Sequence, residues 1–587
     1  MSSKTTPGRE AVQIVEIKQP LCSRTFGSSP CTATGTADTK CYNTRSTCQD
    51  AANFELDSTP LSLFFGKGTV ADIDISGVDY LIPSLVSVST APTVINFGAS
   101  SADAQGLGNR AVCTLTFNDH QHSDRLVDPY LSGRSWNPMS SDRGSFWSRW
   151  VARNRYKGQI QIVIYDGYAG QALSAMTNRT YFMETITNVD SSGRVTMTGK
   201  DILAKVEERK AQAPKTSLGK LYTGITAAAT SFLLVNALEA DYASSGVVRI
   251  NDELIAYSST STGADGVTFS GLTRAQYRTE AEAHEANDGV QQCVVYSEAT
   301  VDSVISDLLT TYGGISSSWL DTANWADERE DYLDAYRLNT VIAEPTSVYK
   351  LISEIQEQTL CYIWWDERDA LVKLKAVRGY VDTPTTLTDS ANIISGSLQI
   401  KDKPRDRTSQ CWIYYTPATY LSVSKATDFQ SHYVTADLET ETEELYGTAS
   451  IRKIYSRWLN DEATVFYTGN RILDGFKIVP QWLYFMLDAK DRDLWLADDF
   501  FLSHQLDLDQ YGNRQNRKWT IVSAEEVIPG ETVRYVAIET DAYGRFHFVM
   551  DTAAADFTDY DSAPAKNAYI GDADGLLTGG ATAGVIA

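Results

Sequence analysis

The sequence has little of what a nucleic-acid-binding or membrane-spanning protein needs. Its 51 Lys and Arg residues face 75 Asp and Glu residues, so the net charge is −24 and the pI is near 4.7. Binding to the phosphates of nucleic acids needs a surface patch of Lys and Arg residues, so we expect no sequence-specific nucleic-acid binding. No stretch approaches the roughly 18 apolar residues of a membrane span, and we expect no stable membrane anchor. The opening residues alternate polar and apolar without a signal-peptide core, which favours assembly in a cytoplasm.

The sequence also lacks the motifs of common enzymes. It has six histidines and contains no G-x-S-x-G, P-loop or H-E-x-x-H pattern. His120 and His122, in TFNDHQHSD, fit a polar loop after a strand better than a metal site. The DLDQYGNRQNRKW stretch begins like a calcium loop, but Lys518 stands where a bidentate Glu is needed, so a hairpin turn is predicted. We therefore predict that the protein is not an enzyme.

The eight cysteines divide into two groups. Four of them occur singly in apolar, strand-like runs such as QCVVY and TLCYIWW. A thiol in such a run behaves as a small apolar side chain. Buried, unreactive thiols are therefore predicted at Cys113, Cys293, Cys361 and Cys411.

The other four cysteines, Cys22, Cys31, Cys41 and Cys48, lie in one polar loop with the spacing C-x8-C-x9-C-x6-C. Phe26 and Tyr42 are the loop's large apolar groups, so burial cannot offset its ordering entropy. Four thiolates on one centre would supply that stabilisation through bonds instead. Zinc sites usually have tight C-x2-C knuckles, whereas wide spacings favour an iron–sulfur cluster. Zinc, disulfides and free thiols remain alternatives.

The chain length of 587 residues predicts several domains. Short alternating or β-branched runs, separated by Gly, Asp and Asn, indicate a mainly β protein. Two amphipathic segments, 300–313 and 347–360, predict helices, and 361–377 predicts a hairpin turning near Glu367 to Asp369. We also expect a short surface helix at 145–156 and helix-like structure around ASIRKIYSRWL (449–459).

These patterns divide the chain into six parts. The predicted boundaries are 1–55, an arm with the cysteine loop; 56–217, a first β domain; 218–298, a small inserted β module; 299–395, an α+β unit; 396–550, a second β domain; and 551–587, an acidic and then Gly/Ala-rich tail. The tail has no core pattern, so alone it should be disordered.

Several blocks together resemble the tail-tip hub (baseplate hub) proteins of long non-contractile-tailed bacteriophages and gene transfer agents. The cysteine loop is similar in kind to the iron–sulfur motif of lambda-like tail-tip proteins, although there the motif is C-terminal. The block RGSFWSRWVARNRYKGQIQIVIYDGYAG resembles the first barrel of such hubs. The resemblance implies two tail-tube-like β-barrels, and a [4Fe-4S] cluster held by Cys22, Cys31, Cys41 and Cys48.

The 218–298 module resembles a small β insertion of phage tail proteins. Its pattern residues have two alternative roles, a ligand site or a buried Arg–Glu or His–backbone bond that fixes the fold, and we favour the structural role. The matching positions are Gly246, Ile250, Glu253, Tyr257, Gly271, Thr273, Arg274, Thr279, Ala281 and His284.

For function, the resemblance implies a structural virion protein at the tail tip, assembled in the host bacterial cytoplasm. It would be a homotrimer that closes the tail tube and contacts the distal tail protein, the central host-recognition fibre and the tape measure protein. DNA would pass through its channel at ejection. Because the acidic protein and the DNA phosphates are both negatively charged, the DNA would not bind to the channel wall. The alternative function is that of a tail protein that binds or degrades host-surface glycans, for which the aromatic content of 11% is suitable.

Overall fold

The structure is a computed structural model that describes residues 4–6, 8–70, 75–97, 106–158, 160–378, 385–437 and 449–540, with two short strands at 568–569 and 585–586. The predicted mainly β, multidomain fold is confirmed, because strands from successive parts of the chain form several separate sheets. The predicted barrel form of the two β domains stays a prediction. Most of the 551–587 tail lies outside the described residues; within it, Ala568–Tyr569 (β31) pairs antiparallel with Val585–Ile586 (β32).

The N-terminal part forms an eight-stranded sheet with the order β3-β2-β1-β6-β7-β8-β5-β4. Strand β1, in the interior of this sheet, is the predicted AVQIVEI run and has apolar side chains on both faces. Val15 and Ile17 pack into one core, while Val12 and Ile14 pack into another on the opposite side. The strands are β1 (Ala11–Gln19), β2 (Leu61–Gly66), β3 (Leu81–Ile82), β4 (Leu85–Ala91), β5 (Val112–Asn118), β6 (Gln161–Tyr168), β7 (Thr177–Ile186) and β8 (Arg194–Lys200).

Helix α1 (Phe146–Arg153) confirms the short surface helix predicted within 145–156: one face packs on this sheet, while Ser148 and Ala152 on the other are exposed. Phe146, Trp147 and Trp150 are buried in the same core as the strands. The Trp147 ring packs 4.6 Å from the ring of Phe117 on β5, measured between centroids. The aromatic residues at helical spacing therefore mark a buried face.

The inserted module contains two small sheets with the orders β10-β11-β15-β14 and β13-β12-β16. Its own core includes the ring of Phe269, which stacks on Phe232 and meets Tyr257 edge-on. The strands are β10 (Lys220–Leu221), β11 (Ser231–Val235), β12 (Gly246–Ile250), β13 (Glu253–Tyr257), β14 (Ser259–Gly263), β15 (Gly266–Ser270) and β16 (Val290–Gln292). The preceding strand β9 (Gln212–Ala213) pairs with β19 (Thr346–Ser347).

The α+β unit has the two helices and the hairpin that the sequence predicts. Helix α2 (Val301–Asp307) continues as a π-helical segment, Leu308–Tyr312, and ends where the Gly313 amide donates to the Leu308 carbonyl. The hairpin turns between β20 and β21, as expected. The remaining elements are β17 (Val294–Ala299), α3 (Thr322–Glu328) with a π-helical end at Arg329–Leu333, β18 (Leu338–Ile342), α4 (Val348–Thr359), β20 (Cys361–Asp366) and β21 (Leu371–Ala376).

The last β part has a six-stranded sheet, β22-β28-β29-β30-β27-β23, and a three-stranded sheet, β25-β24-β26. The helix expected around ASIRKIYSRWL is wrong: this stretch contains β26, which pairs parallel to β24. Helix α5 begins later, where the Asp461 side chain accepts from the Thr464 amide. The elements are β22 (Thr385–Thr388), β23 (Gln399–Asp402), β24 (Gln410–Pro417), β25 (Phe429–Ala436), β26 (Ile451–Tyr455), α5 (Glu462–Phe476), β27 (Gln481–Asp488), β28 (Asp499–Ser503), β29 (Arg517–Ile528) and β30 (Thr532–Glu539).

One large hydrophobic core joins the α+β unit to the six-stranded sheet. Trp365 of the hairpin, Trp519 of β29 and Tyr535 of β30 are all buried in it. Burial of such large side chains is a main source of stability, so these two parts of the chain stabilise each other. Among the helices of the described ranges, none is long and apolar enough to cross a membrane.

Candidate cofactor site in the N-terminal arm

The cysteine loop is an arm between β1 and β2 whose two ends are tied together. The Ser23 amide donates to the Glu55 carbonyl over 2.9 Å, and the Asp57 amide donates to the Leu21 carbonyl over 2.8 Å. Three short 3₁₀ turns, Ala37–Thr39, Arg45–Thr47 and Ala51–Asn53, shape the loop between these ends. The arm thus folds back on itself although it has little apolar surface.

Arg134 holds the arm on the first β domain. Its Nη1 donates to the carbonyls of Ala37, Asp38 and Lys40 over 2.9–3.0 Å. Its Nε donates to the Asp128 carboxylate over 2.9 Å, and both side chains of this ion pair are fully buried. A guanidinium has five donors in a rigid fork, so one side chain can bind several carbonyls of an irregular loop.

Tyr42 fastens the arm at a second point. Its ring lies between two guanidinium groups, with the Arg153 Cζ 3.9 Å and the Arg134 Cζ 4.5 Å from the ring centroid. Thr44 and Ser46 both donate from their hydroxyls to the Arg153 carbonyl at the end of α1, over 2.6 and 2.7 Å. Sequence reasoning missed these anchors. The signal available in the sequence was the Arg-rich SFWSRWVARNRY segment, because a loop with so few large apolar groups needs other partners to hold it.

The four cysteines Cys22, Cys31, Cys41 and Cys48 line one cavity in this arm. The walls include the rings of Phe26 and Phe54, and the cavity, with a volume of ≈ 20 Å³, is partly open to solvent. None of the eight cysteines, all of which lie within the described ranges, is in a disulfide. The fold therefore brings four cysteines with the spacing C-x8-C-x9-C-x6-C to one cavity.

Local hydrogen bonds bring the cysteine-bearing segments together. Asp50 accepts from the Thr32 amide over 2.7 Å and from the Asn53 side chain, which links the segment of Cys31 to that of Cys48. The Cys22 amide donates to the Asn43 carbonyl over 2.7 Å, which links the segments of Cys22 and Cys41. The chain thus pairs its four cysteine segments two by two around the cavity.

The thiols are close enough to influence one another. Burial raises the pKa of the Cys41 thiol, and the neighbouring thiols of Cys48, Cys31 and Cys22 raise it further, because several negative charges in one cavity are unfavourable. The Cys41 Sγ donates to the Asn43 Oδ1 over 3.4 Å. Four sulfur donors, apolar walls and a need for positive charge fit a cofactor that binds thiolates. The four sulfurs line one cavity, but neither they nor any other three or more His, Cys, Asp or Glu side chains in the described ranges are placed to hold a single metal ion.

The two histidines of the first β domain lie apart from this cavity and pack among aromatic rings. His120 stacks on Phe146, with 5.1 Å between centroids, and the His122 Nδ1 accepts from the Asp124 amide. Burial lowers the pKa of both imidazoles, which favours their neutral forms. Arg149 and Arg153 complete the local structure by pairing with Asp124 over 2.8 and 2.7 Å.

The stretch that begins like a calcium loop is a turn, as predicted. An isolated bridge between Leu508 and Arg514 closes it, and the Asp509 side chain accepts from the Tyr511 and Asn513 amides. Asp507 pairs with Arg517. Lys518 is buried in β29, where its amine donates to the Arg378 carbonyl over 3.2 Å.

The predicted burial of Cys113, Cys293, Cys361 and Cys411 is confirmed, since each is at most 5% exposed. Burial raises the pKa of each of these thiols to about 12. A thiol that stays protonated is a poor nucleophile and a poor ligand. These cysteines differ in this respect from the four in the arm, which are partly exposed.

In the inserted module, the pattern residues Glu253, Arg274 and His284 form a buried carboxylate cage. Glu253 accepts from the Arg274 Nε over 2.8 Å and from its Nη2 over 2.6 Å, and the His284 Nε2 lies 2.8 Å from Glu253 Oε2. The amides of Ala275 and Glu282 donate to the same carboxylate. The predicted role in fixing the fold fits this arrangement, because the cage joins β13 to the loop that follows β15.

A junction of buried charges, which the sequence did not predict, joins three parts of the chain. Arg179 on β7 donates to Asp166 on β6 over 2.7 Å, and the Glu367 carbonyl at the hairpin tip accepts from the Thr180 amide. Burial and then the neighbouring Asp366 raise the pKa of Glu367 to about 7. Glu526 on β29 has its pKa raised by burial as well. The members are Asp166, Arg179, Glu367, Arg368, Arg492 and Glu526.

Comparisons with known proteins give fold likeness alone. No family model matches the chain, and no curated protein sequence matches it. The fold is similar to that of the 43 kDa tail protein of prophage MuSo2 from Shewanella oneidensis, at 9% identity and a TM-score of 0.36, over 78% of this chain and 95% of that one. A tail protein from Neisseria meningitidis MC58 gives 10% identity and a TM-score of 0.35, over 78% and 99%.

A third similar structure is a chain of the virion of a native gene transfer agent particle. It gives 10% identity and a TM-score of 0.28, over 62% of this chain and 79% of that one. TM-scores and identities of this size describe a similarity between folds and establish no shared function.

Proposed function

We propose that the chain is a structural protein of a phage-type virion, namely the hub at the tip of a long tail. The observation that carries the proposal is the convergence of Cys22, Cys31, Cys41 and Cys48 on one cavity in an arm docked on the first β domain. This is the constellation that the resemblance to tail-tip hubs implies. The Glu253 cage, at the positions of the tail-protein module pattern, gives further support.

The arm is proposed to hold an iron–sulfur cluster of the [4Fe-4S] type through its four cysteines. When bound, such a cluster supplies iron–thiolate bonds that cross-link four points of the loop. The arm's own residues do the rest: Arg134 and Tyr42 orient the loop, and the rings of Phe26 and Phe54 limit the access of water to the cavity. The role proposed for the cluster is therefore structural, because it cross-links a loop that the arm's own side chains orient and shield from water.

A hub of this kind would act as a homotrimer between the distal tail protein and the central host-recognition fibre, next to the tape measure protein. Each chain carries a net charge of −24. If part of this charge faces a central channel, it repels phosphates, and DNA slides through without binding. The acidic composition would therefore serve to let DNA pass through the channel.

Immunogold labelling of intact virions tests the hub assignment. An antibody against the inserted module, residues 218–298, should label a single spot at the end of the tail opposite the head. Labelling along the whole tail, on the head, or on no particle would contradict the proposal. Electron microscopy of the purified chain provides a second measurement, with a threefold ring as the expected particle.

Iron and acid-labile sulfide analysis tests the cofactor. Protein purified without oxygen should contain both elements and absorb near about 400 nm, as iron–sulfur proteins do. Ser substitutions of Cys22, Cys31, Cys41 or Cys48 should each abolish or destabilise the absorbance. Cys293→Ser is the matched control, since Cys293 lies outside the cavity. Zinc without sulfide, or no metal at all, would reject the cluster.

One observation favours the second candidate function, binding of host-surface glycans. The outer face of the β25-β24-β26 sheet carries a row of near-parallel rings: Tyr414 lies 5.1 Å from Tyr455 and 5.8 Å from His432 between centroids. Phe429 also stacks on Tyr455, at 6.0 Å. These rings are half-buried apart from the exposed His432, and a partly exposed aromatic face can pack against the C–H face of a sugar ring. Affinity electrophoresis in host polysaccharide should show retardation that Tyr414→Ala and Tyr455→Ala remove; unretarded wild-type protein would reject it.

A further inference from the structure

Arg24 is the cation of the cysteine cavity. Among the cavity-lining residues, which all lie within the described ranges, Arg24 is the one with a positive charge and Asp50 the one with a carboxylate. The Asp50 oxygens already accept from Thr32 and Asn53. The positive charge of Arg24 is therefore not cancelled by a carboxylate from inside the cavity.

The guanidinium of Arg24 forms an ion pair at its Nη2, whereas its Nε has no partner among the described residues. Its Nη2 pairs with the carboxylate of Glu55, which the Ser23–Glu55 backbone bond places alongside. Its Nε is buried and has no hydrogen-bond partner in the part of the chain that the structure describes. Buried donors are nearly always paired, because an unpaired one loses the hydrogen bonds it made to water. The unpaired Nε–H thus indicates an acceptor that the described part of the chain does not supply.

We propose that Arg24 donates its Nε–H to the anionic centre held by the four cysteines and balances part of its negative charge. This inference rests on the proposed cluster and deepens it. Four thiolates make any such centre anionic, and a charge-assisted hydrogen bond to it is stronger than a neutral one. Glu55 is a positioning residue: it holds the outer end of the guanidinium, so that the Nε end stays at the cavity.

Two consequences follow from the charge of Arg24. A cluster that loses this hydrogen bond is held less firmly, so chelators remove it faster. Its reduced form carries one more negative charge than its oxidised form, so the loss of a nearby cation disfavours reduction and lowers the reduction potential. A residue that only shapes the loop would change the first property without changing the second.

The test uses the full chain, purified without oxygen, with Arg24→Gln, Arg24→Lys and Glu55→Gln as variants. Arg45→Gln is the matched control. Arg45 lies in the same arm and has the same charge, but it covers the ring of Phe54, with its Cζ 5.0 Å from the ring centroid, and does not line the cavity. The readouts are iron and sulfide content, the rate at which a chelator bleaches the absorbance near about 400 nm, and the reduction potential from a redox titration.

Arg24→Gln should bleach about tenfold faster than Arg45→Gln, the factor expected for loss of one charge-assisted hydrogen bond. Its potential should be lower than that of the control, with Arg24→Lys between them. Glu55→Gln should bleach at an intermediate rate, but its potential should not fall, because it removes a negative charge beside the cluster. Equal bleaching and equal potentials for the two Gln variants would overturn the proposal. If Arg24→Gln does not fold, wild-type behaviour of both Arg24→Lys and Glu55→Gln overturns it instead. Wild-type protein without iron and sulfide rejects the proposed cluster itself, and with it this role of Arg24.

Discussion

The guanidinium of Arg153, at the end of helix α1, lies over the ring of Tyr42 in the cysteine arm, with its Cζ 3.9 Å from the ring centroid. Arg134 covers the same ring from 4.5 Å. Cation–π contacts of this kind are worth about 0.5–2 kcal/mol each, more where water is excluded. The arm is therefore attached to the first β domain by its own side chains as well as by any cofactor that its cysteines bind.

Arg134→Gln should detach the arm. The substitution removes the donor to four loop carbonyls and leaves the buried carboxylate of Asp128 without its partner, which costs about 3–5 kcal/mol. Limited proteolysis should then cut within residues 22–48 at protease concentrations that leave the wild type intact. Arg125→Gln, at an exposed arginine nearby, should leave the wild-type cleavage pattern unchanged. Equal resistance of the two variants would show that Arg134 does not hold the arm.

Glu253→Gln should unfold or loosen the inserted module. The carboxylate accepts bonds from Arg274, His284 and two backbone amides, and a neutral amide leaves the buried Arg274 unbalanced at a cost of about 3–5 kcal/mol. Hydrogen exchange should speed up across residues 218–298 and stay unchanged in the eight-stranded sheet. Glu280→Gln, at an exposed position of the module, is the control. Unchanged protection in Glu253→Gln would disprove the role of the cage.

The same carboxylate should make the module sensitive to acid. Its hydrogen bonds lower the pKa of Glu253 to about 2, despite burial, from an ordinary value of 4.5. A carboxyl with a depressed pKa contributes stability that is complete above pH 4.5 and is lost as the pH falls towards 2. Hydrogen exchange of the module between pH 5 and pH 3, corrected for intrinsic rates, should show this loss. A module whose protection is independent of pH over this range would contradict the prediction.

Glu367 should give the opposite dependence at the junction of buried charges. Burial and the neighbouring Asp366 raise its pKa to about 7, although Arg179 and Arg368 oppose the shift. Its protonated form is favoured in the folded state, so the contribution to stability is complete below pH 4.5 and is lost as the pH rises through 7. Glu367→Gln should raise the free energy of unfolding by about 1–3 kcal/mol at pH 8 and change it little at pH 5.

Urea unfolding at pH 5 and pH 8 measures this difference. Glu285→Gln, at an exposed glutamate of the inserted module, should shift neither value by more than about 0.5 kcal/mol. A Glu367→Gln protein that is destabilised equally at both pH values would mean that the ionised carboxylate is the form that the junction needs.

Thiol labelling should separate the eight cysteines into two groups of four. In native protein stripped of any cofactor, the reagent should reach Cys22, Cys31, Cys41 and Cys48, which are partly exposed. The four buried cysteines should react only once the protein is unfolded, because burial raises the pKa of each thiol to about 12; they are Cys113, Cys293, Cys361 and Cys411. Mass spectrometry of the labelled peptides identifies the sites. Rapid native labelling of Cys361 would contradict the prediction.

Local patterns predicted much of the secondary structure. The stripe of Val301, Val304 and Ile305 predicted α2, and the CYIWWDERDALVKLKAV run predicted the β20–β21 hairpin. The patterns failed where tertiary packing decided the outcome. The ASIRKIYSRWL stretch has an apolar spacing compatible with a helix, yet its Ile454 is buried as part of a strand added to β24. Trp147 and Trp150 suggested a helix but could not indicate which surface covers it.

The sequence by itself determined which segments are apolar on one face, which cysteines are isolated in buried strands, and that one polar loop carries four more. These properties depend on neighbours a few residues apart, and periodicity records them. Only the tertiary structure decided that Arg134 and Arg153 receive the arm, that Arg24 lines its cavity, and that the Glu367 carbonyl accepts from the Thr180 amide across two parts of the chain. Such contacts join residues that are far apart in sequence, and their strength depends on burial that no local pattern contains.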